Sequence, residues 1–388
     1  MTKKPGLSSV ITIASIIAFL IFLLIFNLTL DFQKPGDYPE GVVYEKAKVL
    51  SIERDTLQPD PDYPAISIGR QNLVLEIISG KYTGKTVKTF NLVERLINNP
   101  ARIGTEYIIS SYDNFTTAMI VDYNRESTVY ILAAAFIAVV VFFGRRKGAH
   151  SLLSLAFTMV CIIFFFIPLI IKGIEPIAAS IAVVVLSTLV TLWMLNGWSP
   201  KTIAAAAGCV SCTLLAGLIA FLAGLFSRIT TMNTPEAEDL IFVAQRTNLS
   251  FHHLIFAGIL FASLGAIMDT SMSISSSIFE MKEIDSSLTQ SRLFRSGMNI
   301  GRDVMGTMTD TLILAFTGSS INTIVIFYMY SLPYMKLINM QLFVVEIIRG
   351  LSSSIAVVLS IPATALIASF ISSAKNQNKA RPAKAKAR

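Results

Sequence analysis

Apolar residues along this chain gather in long, nearly charge-free runs, not in the short alternations of a soluble fold. The first run, Leu7 to Leu30, follows Lys3 and Lys4. At 1.5 Å per residue it reaches about 36 Å, enough to cross the hydrocarbon core of a bilayer. It lacks the shorter apolar region and small-residue cleavage site of a secretory signal, so the pattern predicts a retained signal-anchor helix over 1–30. Seven further runs follow at roughly 127–143, 151–171, 176–195, 202–226, 251–278, 304–330 and 341–370. The pattern therefore predicts a membrane α-helical bundle of about eight transmembrane helices, seven of them in a membrane domain over 127–373.

Residues 31–126 have a different character. β-prone stretches occur at 41–44, 66–68, 73–78, 87–92, 107–109 and 116–121, and the sequence Ser79-Gly80-Lys81-Tyr82-Thr83-Gly84 reads as a hairpin connection. Asp60 to Pro64 reads as a loop, and Val93–Asn98 as one helical turn or two. About five strands in this space predict a small all-β, barrel-like domain between helices 1 and 2, resembling an OB-fold. The block contains no His or Cys, which excludes a thiolate or imidazole metal site within it.

Composition agrees with the pattern. The chain is 53% hydrophobic and 15% charged, with mean hydropathy +0.63; a soluble domain carries about 25% charge. This excludes a cytosolic enzyme, a disordered chain and a disulfide-stapled secreted module. The net charge of +7 is not a nucleic-acid footprint, because the 31–126 block holds 14 acids against 11 Lys and Arg. The positive excess sits in short connecting segments and in the basic tail, 374–388. Lys3, Lys4, Arg145, Arg146, Lys147, Lys201, Lys282, Arg292, Arg295 and six tail residues fall on one side. Only Lys172, Arg228, Arg246 and Lys336 fall on the other. The positive-inside rule then places both termini in the cytoplasm and residues 31–126 outside the plasma membrane, in the periplasm of a two-membrane organism. The tail reads as a topology determinant in contact with anionic membrane lipids. Cys161, Cys209 and Cys212 all lie in apolar runs; Cys209 and Cys212 have redox spacing but no polar context, which favours helix packing.

Polar side chains at membrane depth are costly and mark candidate sites. Asp269 lies in a run of small and hydroxyl residues that includes Ser273 and Ser276, without a nearby basic partner; the alternative to a proton relay is a buried acid satisfied by serines. Arg302, Asp303, Gly306, Thr309 and Asp310 form the densest polar stretch, with Asp303 and Asp310 seven apart on one helix face. For Arg302 and Asp303 the ordinary alternative is a snorkelling ion pair. Gly301 and Gly306 mark close helix contact or a break, and Gly318-Ser319-Ser320 interrupts the span further along. Glu346 and Arg349 are three apart and can pair along a helix, either as a gate or as a purely structural pair. His252 and His253 open the sixth span, as an interfacial polar belt or a proton inlet. No metalloprotease, nucleophile-elbow, P-loop or dinucleotide fingerprint is present, so neither catalysis, a cofactor nor a metal is expected.

The stretches GAIMDTSMSISSSIFEM (265–281) and SGMNIGRDVMGTMTDTLILAFTGSS (296–320) resemble the signature segments of the YibE/F family of bacterial multi-pass membrane proteins. The order of anchor, external domain and seven spans is similar to the family's longer members. The resemblance implies transport, and a shorter YibE/F-type partner or a homo-oligomer. A weaker likeness joins Arg349 to Ala356 with the membrane halves of SecD/SecF factors and RND transporters, which implies a proton-driven motor with Asp269 and Asp310 as its relay. The sequence thus points to a secondary transporter or ion-coupled motor using intramembrane carboxylates. The rival expectation is a non-transporting envelope scaffold whose β domain binds a partner.

Overall fold

The structure, a computed structural model, describes residues 42–233, 237–249 and 253–385, and seven positions of the first apolar run (18, 19, 21–23, 25 and 26). Side chains are described as far as residue 374, apart from those of Asn233 and Arg246. The chain divides into two compact units, one spanning Lys34–Phe142 and the other built from the remainder.

The first unit holds an antiparallel half-barrel of six strands: β1 (Val43–Asp55), β2 (Gln58–Pro59), β3 (Ser67–Ile77), β4 (Thr86–Val93), β5 (Glu106–Ser111) and β6 (Met119–Tyr123). Long β1 runs between β3 and β5; β4 pairs with β3, β6 with β5, and two-residue β2 with the start of β3. β4 and β6 approach one another without backbone pairing, which leaves the barrel partly open. Register shifts after Val49 and Ile52 bend β1 around the core. Period-2 alternation turns Ala47, Val49, Leu73, Leu75, Ile77, Val87, Tyr107 and Ile109 inward, and Phe115 fills the centre. Gly69, at φ 142, lies where a Cβ would stand 2.5 Å from the Thr56 carbonyl oxygen, so the β1–β3 crossing needs glycine there.

Polar groups inside the half-barrel are paired. The Gln71 amide donates to Asp55 Oδ2 (2.9 Å) and to the Ala101 carbonyl (3.1 Å), and its Oε1 accepts from the Ala101 N–H (2.7 Å). Asn91 donates to the Asn99 carbonyl at 2.6 Å. Fully buried Asp60 accepts from Arg95 Nε (2.5 Å) and Nη2 (2.9 Å), and this guanidinium, aided by the Asp62 and Tyr63 amides, holds its carboxyl below the usual range. The same ion pair explains why Val93–Asn98 is not the expected helical turn. Arg95 is drawn to Asp60, the Glu94 N–H donates back to the Ile97 carbonyl, and Asn98 donates to the Ser67 and Glu94 carbonyls, leaving a bent loop.

The second unit is helical. α1 (Glu126–Cys161), whose residues up to Phe142 belong to the first unit, is kinked at Arg145, where the backbone (φ 48, ψ −130) is not helical; its later part runs through a π-helical turn, Ile162–Phe166, into α2 (Ile167–Ile171). The expected spans 127–143 and 151–171 correspond to the two helical pieces on either side of this kink. Then come α3 (Pro176–Asn196), α4 (Pro200–Phe226), α5 (Ala237–Arg246), α6 (Leu254–Ile284), α7 (Gln290–Ser319), α8 (Ile321–Met329), α9 (Tyr334–Leu337) and α10 (Gln341–Ala385). Among the described residues, five helices are long and apolar enough to cross a membrane, or six if the bent pair α7–α8 is one span. The anchor run falls largely outside the described residues, although its Phe19 ring lies 6.1 Å from that of Phe157 and 5.9 Å from that of Phe165.

α4, α6 and α10 form the centre, with α3 and α7 against them. The packing is that of a membrane interior, where small residues let helix axes approach. Gly208 lies against Thr364, Gly217 against Leu260 and Gly224 against Phe256. The hydroxyl of Thr364 donates to Ser271 (3.1 Å) and that of Ser275 to the Lys201 carbonyl (2.7 Å). All three cysteines are buried as free thiols within this packing.

Candidate functional site in the seam between α7 and α10

Sequence sets the seam directly. α7 buries Leu293, Gly297, Gly301 and Leu312, a stripe at helical spacing. Gly297 lets in Ile278 of α6 and Ala365 of α10, and Gly301 lies against Ile361. A tight α7–α10 contact results at the Gln290 half of α7. Towards Ser319 the large side chains Met308, Leu312 and Phe316 take over the contact. At Gly318-Ser319-Ser320 the helix stops, with the Ser320 N–H held by the Phe316 (3.1 Å) and Thr317 (3.2 Å) carbonyls, and α8 leaves at 64°.

This bend opens a cavity of about 300 Å³ between α7, α8 and α10, lined by Phe316, Thr317, Ser320, Thr323, Glu346 and Gly350 among others. Glu346 accepts from Arg349 Nη1 at 2.9 Å through one carboxylate oxygen. Its other oxygen, Oε2, is buried and without a hydrogen-bond partner among the described residues, as are the hydroxyls of Thr309, Ser353 and Ser354. Glu346, Gly350, Ser353 and Ser354 share one face of α10. A buried, unpaired polar atom costs about 1–3 kcal/mol, more when charged. Glu346 at the cavity and Ser354, in phase with the α7-facing Ile361, set two such atoms along the seam, where water or a polar solute can complete them.

The other expected residues are placed differently. Asp269 is exposed on α6, on a face with Gly258, Ala262, Gly265 and Ser273; Ser276 is half-buried. Arg302, Asp303, Gly306 and Asp310 are exposed on the α7 face that points away from α10. Among the described residues, none of these three aspartates makes an ion pair or hydrogen bond. Gly301 packs inward, Gly306 and Gly318 have open space around them, and Thr309 turns its hydroxyl into the seam. Of the expected set the structure brings Gly301, Thr309, Glu346 and Arg349 to the seam, with Gly318 at the bend.

A second polar contact has no signature in the local sequence. His253 Nδ1 lies 2.9 Å from Glu175 Oε1, while Glu175 Oε2 accepts from the Ala178 N–H and caps α3. Both residues border an otherwise apolar cavity of about 440 Å³ between α3, α4 and α6. His252 lies outside the described residues. The partners are 78 positions apart, and only a Glu-Pro helix start marks Glu175 as a capping residue.

Fold and site together define a membrane protein: a small-residue helical bundle with an interrupted helix and buried polar groups. The sequence model of the YibE/F-like protein family matches residues 132–374, and the chain belongs to that family. No curated protein and no solved structure matches it.

Proposed function

We propose that this is a plasma-membrane secondary transporter, coupled to protons or another cation, whose working carboxylate is Glu346. The observation that carries the reading is the buried, unpartnered Oε2 of Glu346 beside a cavity at a broken helix. Discontinuous helices with polar side chains at membrane depth are how secondary transporters build a site. Arg349 neutralises Glu346 when the seam is empty; a cation taken up at Oε2 weakens that pair and frees Arg349 to move. Both termini lie in the cytoplasm and the half-barrel lies outside, where it selects the solute or binds a partner such as a shorter YibE/F-type chain. We assign the chain no catalysis.

The test is proton flux in liposomes holding the purified full chain under an imposed pH gradient. Glu346→Gln keeps the oxygen that accepts from Arg349 and removes the charge, so it abolishes flux at unchanged abundance. Flux kept in Glu346→Gln but lost in Asp269→Asn or Asp310→Asn would contradict the seam and move the relay to the outward faces. Silence in every protein, with a shorter partner present, would favour the scaffold, for which exposed Leu96 and Ile103 on the half-barrel offer a docking patch.

A further inference from the structure

α7 has two polar characters. The face towards α10 is apolar and glycine-rich, whereas the opposite face carries Asn299, Arg302, Asp303, Gly306, Thr307 and Asp310, all exposed. A helix at membrane depth does not leave two carboxylates and a guanidinium to lipid when protein can cover them. Adjacent Arg302 and Asp303 point about 100° apart and do not pair within the helix; among the described residues the nearest polar partner of Arg302 is Asn299, at 3.4 Å.

The distribution of charge selects the partner. Measured around the helix from Gly306, Arg302 lies about 40° to one side and Asp303 about 60° to the other. Copies of one chain share one orientation in the membrane, so a twofold axis relating them runs along the membrane normal and sets two α7 helices parallel. Rotation about that axis exchanges left and right, so Arg302 of one copy meets Asp303 of the other, twice. On the line between them lie Asn299 and Gly306, where a Cβ would meet nothing within 4 Å. The apolar runs 131–143 and 7–30 of the same chain carry no charge and cannot complement this face.

We propose that the outward face of α7 is a parallel, twofold interface with a second copy of this chain, closed by reciprocal Arg302–Asp303 pairs around Gly306. The proposal is independent of the transport reading.

Two experiments on the full chain test it. In liposomes, oxidative cross-linking of Gly306→Cys gives a dimer several-fold more abundant than that of Gly258→Cys, an exposed position on α6 away from this face; equal yields would overturn the proposal. Co-purification of two differently tagged copies gives the second test. Arg302→Asp and Asp303→Arg each lose self-association several-fold, because each sets like charges across the axis, and the two variants expressed together recover it. Self-association unchanged in both single variants would overturn the pairing. A Gly306→Cys adduct in cell membranes with a mass other than twice the chain would overturn the second-copy assignment.

Discussion

The half-barrel and the α7–α10 seam both bury polar side chains, but they treat them in opposite ways. In the half-barrel, Gln71, Asn91 and Asp60 are each held by two or more partners, and among the described residues no buried side-chain polar atom there lacks one. Along and beside the seam, Thr309, Glu346, Ser353 and Ser354 each leave an oxygen unpaired among the described residues. Water could have solvated the half-barrel's polar groups at no structural cost, so its buried ones persist because they fix loops such as 94–101. The bilayer offers no such relief, and unpaired groups at membrane depth mark candidate sites. Polar burial in the first region is architecture; on the function proposed above, in the second it is capacity.

The comparison breaks most visibly at Gln71. Gln71→Ala strands both backbone groups of buried Ala101, and costs the half-barrel about 2–4 kcal/mol. Hydrogen exchange along β3 and residues 99–102 reads the loss; unchanged protection would show the network to be incidental. Next comes the tight part of the seam. A Cβ at Gly301 collides with Ile361, so Gly301→Val costs about 1–3 kcal/mol and lowers the melting temperature in detergent. Gly306→Val, with open space around it, leaves the fold of a single copy unchanged.

A smaller effect separates the half-barrel by pH. Thr117 amide and Ser111 hydroxyl donors hold the Asp113 carboxyl at about 2, against 3.8 for a free side chain. A depressed carboxyl stabilises the fold above its free value, and that stabilisation is lost as pH falls towards 2. Asp113→Asn is therefore less stable than the native chain at pH 6, and the gap in hydrogen-exchange protection closes by pH 2; a gap independent of pH would refute the cause. The smallest effect is the sharpest. Ser353→Ala removes a buried hydroxyl that makes no hydrogen bond among the described residues, so stability does not fall. Thr364→Val, which breaks the bond to Ser271, costs about 1 kcal/mol.

Much of this was legible in the sequence, and what was not has physical reasons. Long apolar runs, the β block and the interruption at Gly318-Ser319-Ser320 follow from composition and local propensity; the last two are present, and of the eight expected spans the described residues give five qualifying helices, or six with the bent pair. The Glu346–Arg349 pair was legible because spacing along one helix fixes distance. Strand β1 reads longer than its apolar start because its outward residues are charged, and a solvated strand face hides in composition. The charge cluster at Arg145-Arg146-Lys147 marks a break in sequence, and α1 is kinked there, at Arg145. Asp269 and Asp310 are the densest signals at membrane depth, but a run of residues does not reveal rotational phase against neighbouring helices. That phase turns Asp310 outward while its neighbour Thr309 faces the seam. Glu175 and His253 meet only through tertiary packing, which no local pattern encodes.

The central claim is that the seam opens to aqueous solutes. It is tested most directly by placing a thiol in it and exposing the full chain in membranes to a water-soluble, impermeant thiol reagent. The native cysteines are buried and serve as the unreactive background. The account predicts that Ser354→Cys, in phase with the α7-facing Ile361, is labelled while Ser360→Cys is not, because the Ser360 hydroxyl is satisfied by the Val357 carbonyl (2.7 Å) in closed packing. Ser354→Cys as inert as Ser360→Cys would contradict it and leave Glu346 and Arg349 as a structural pair.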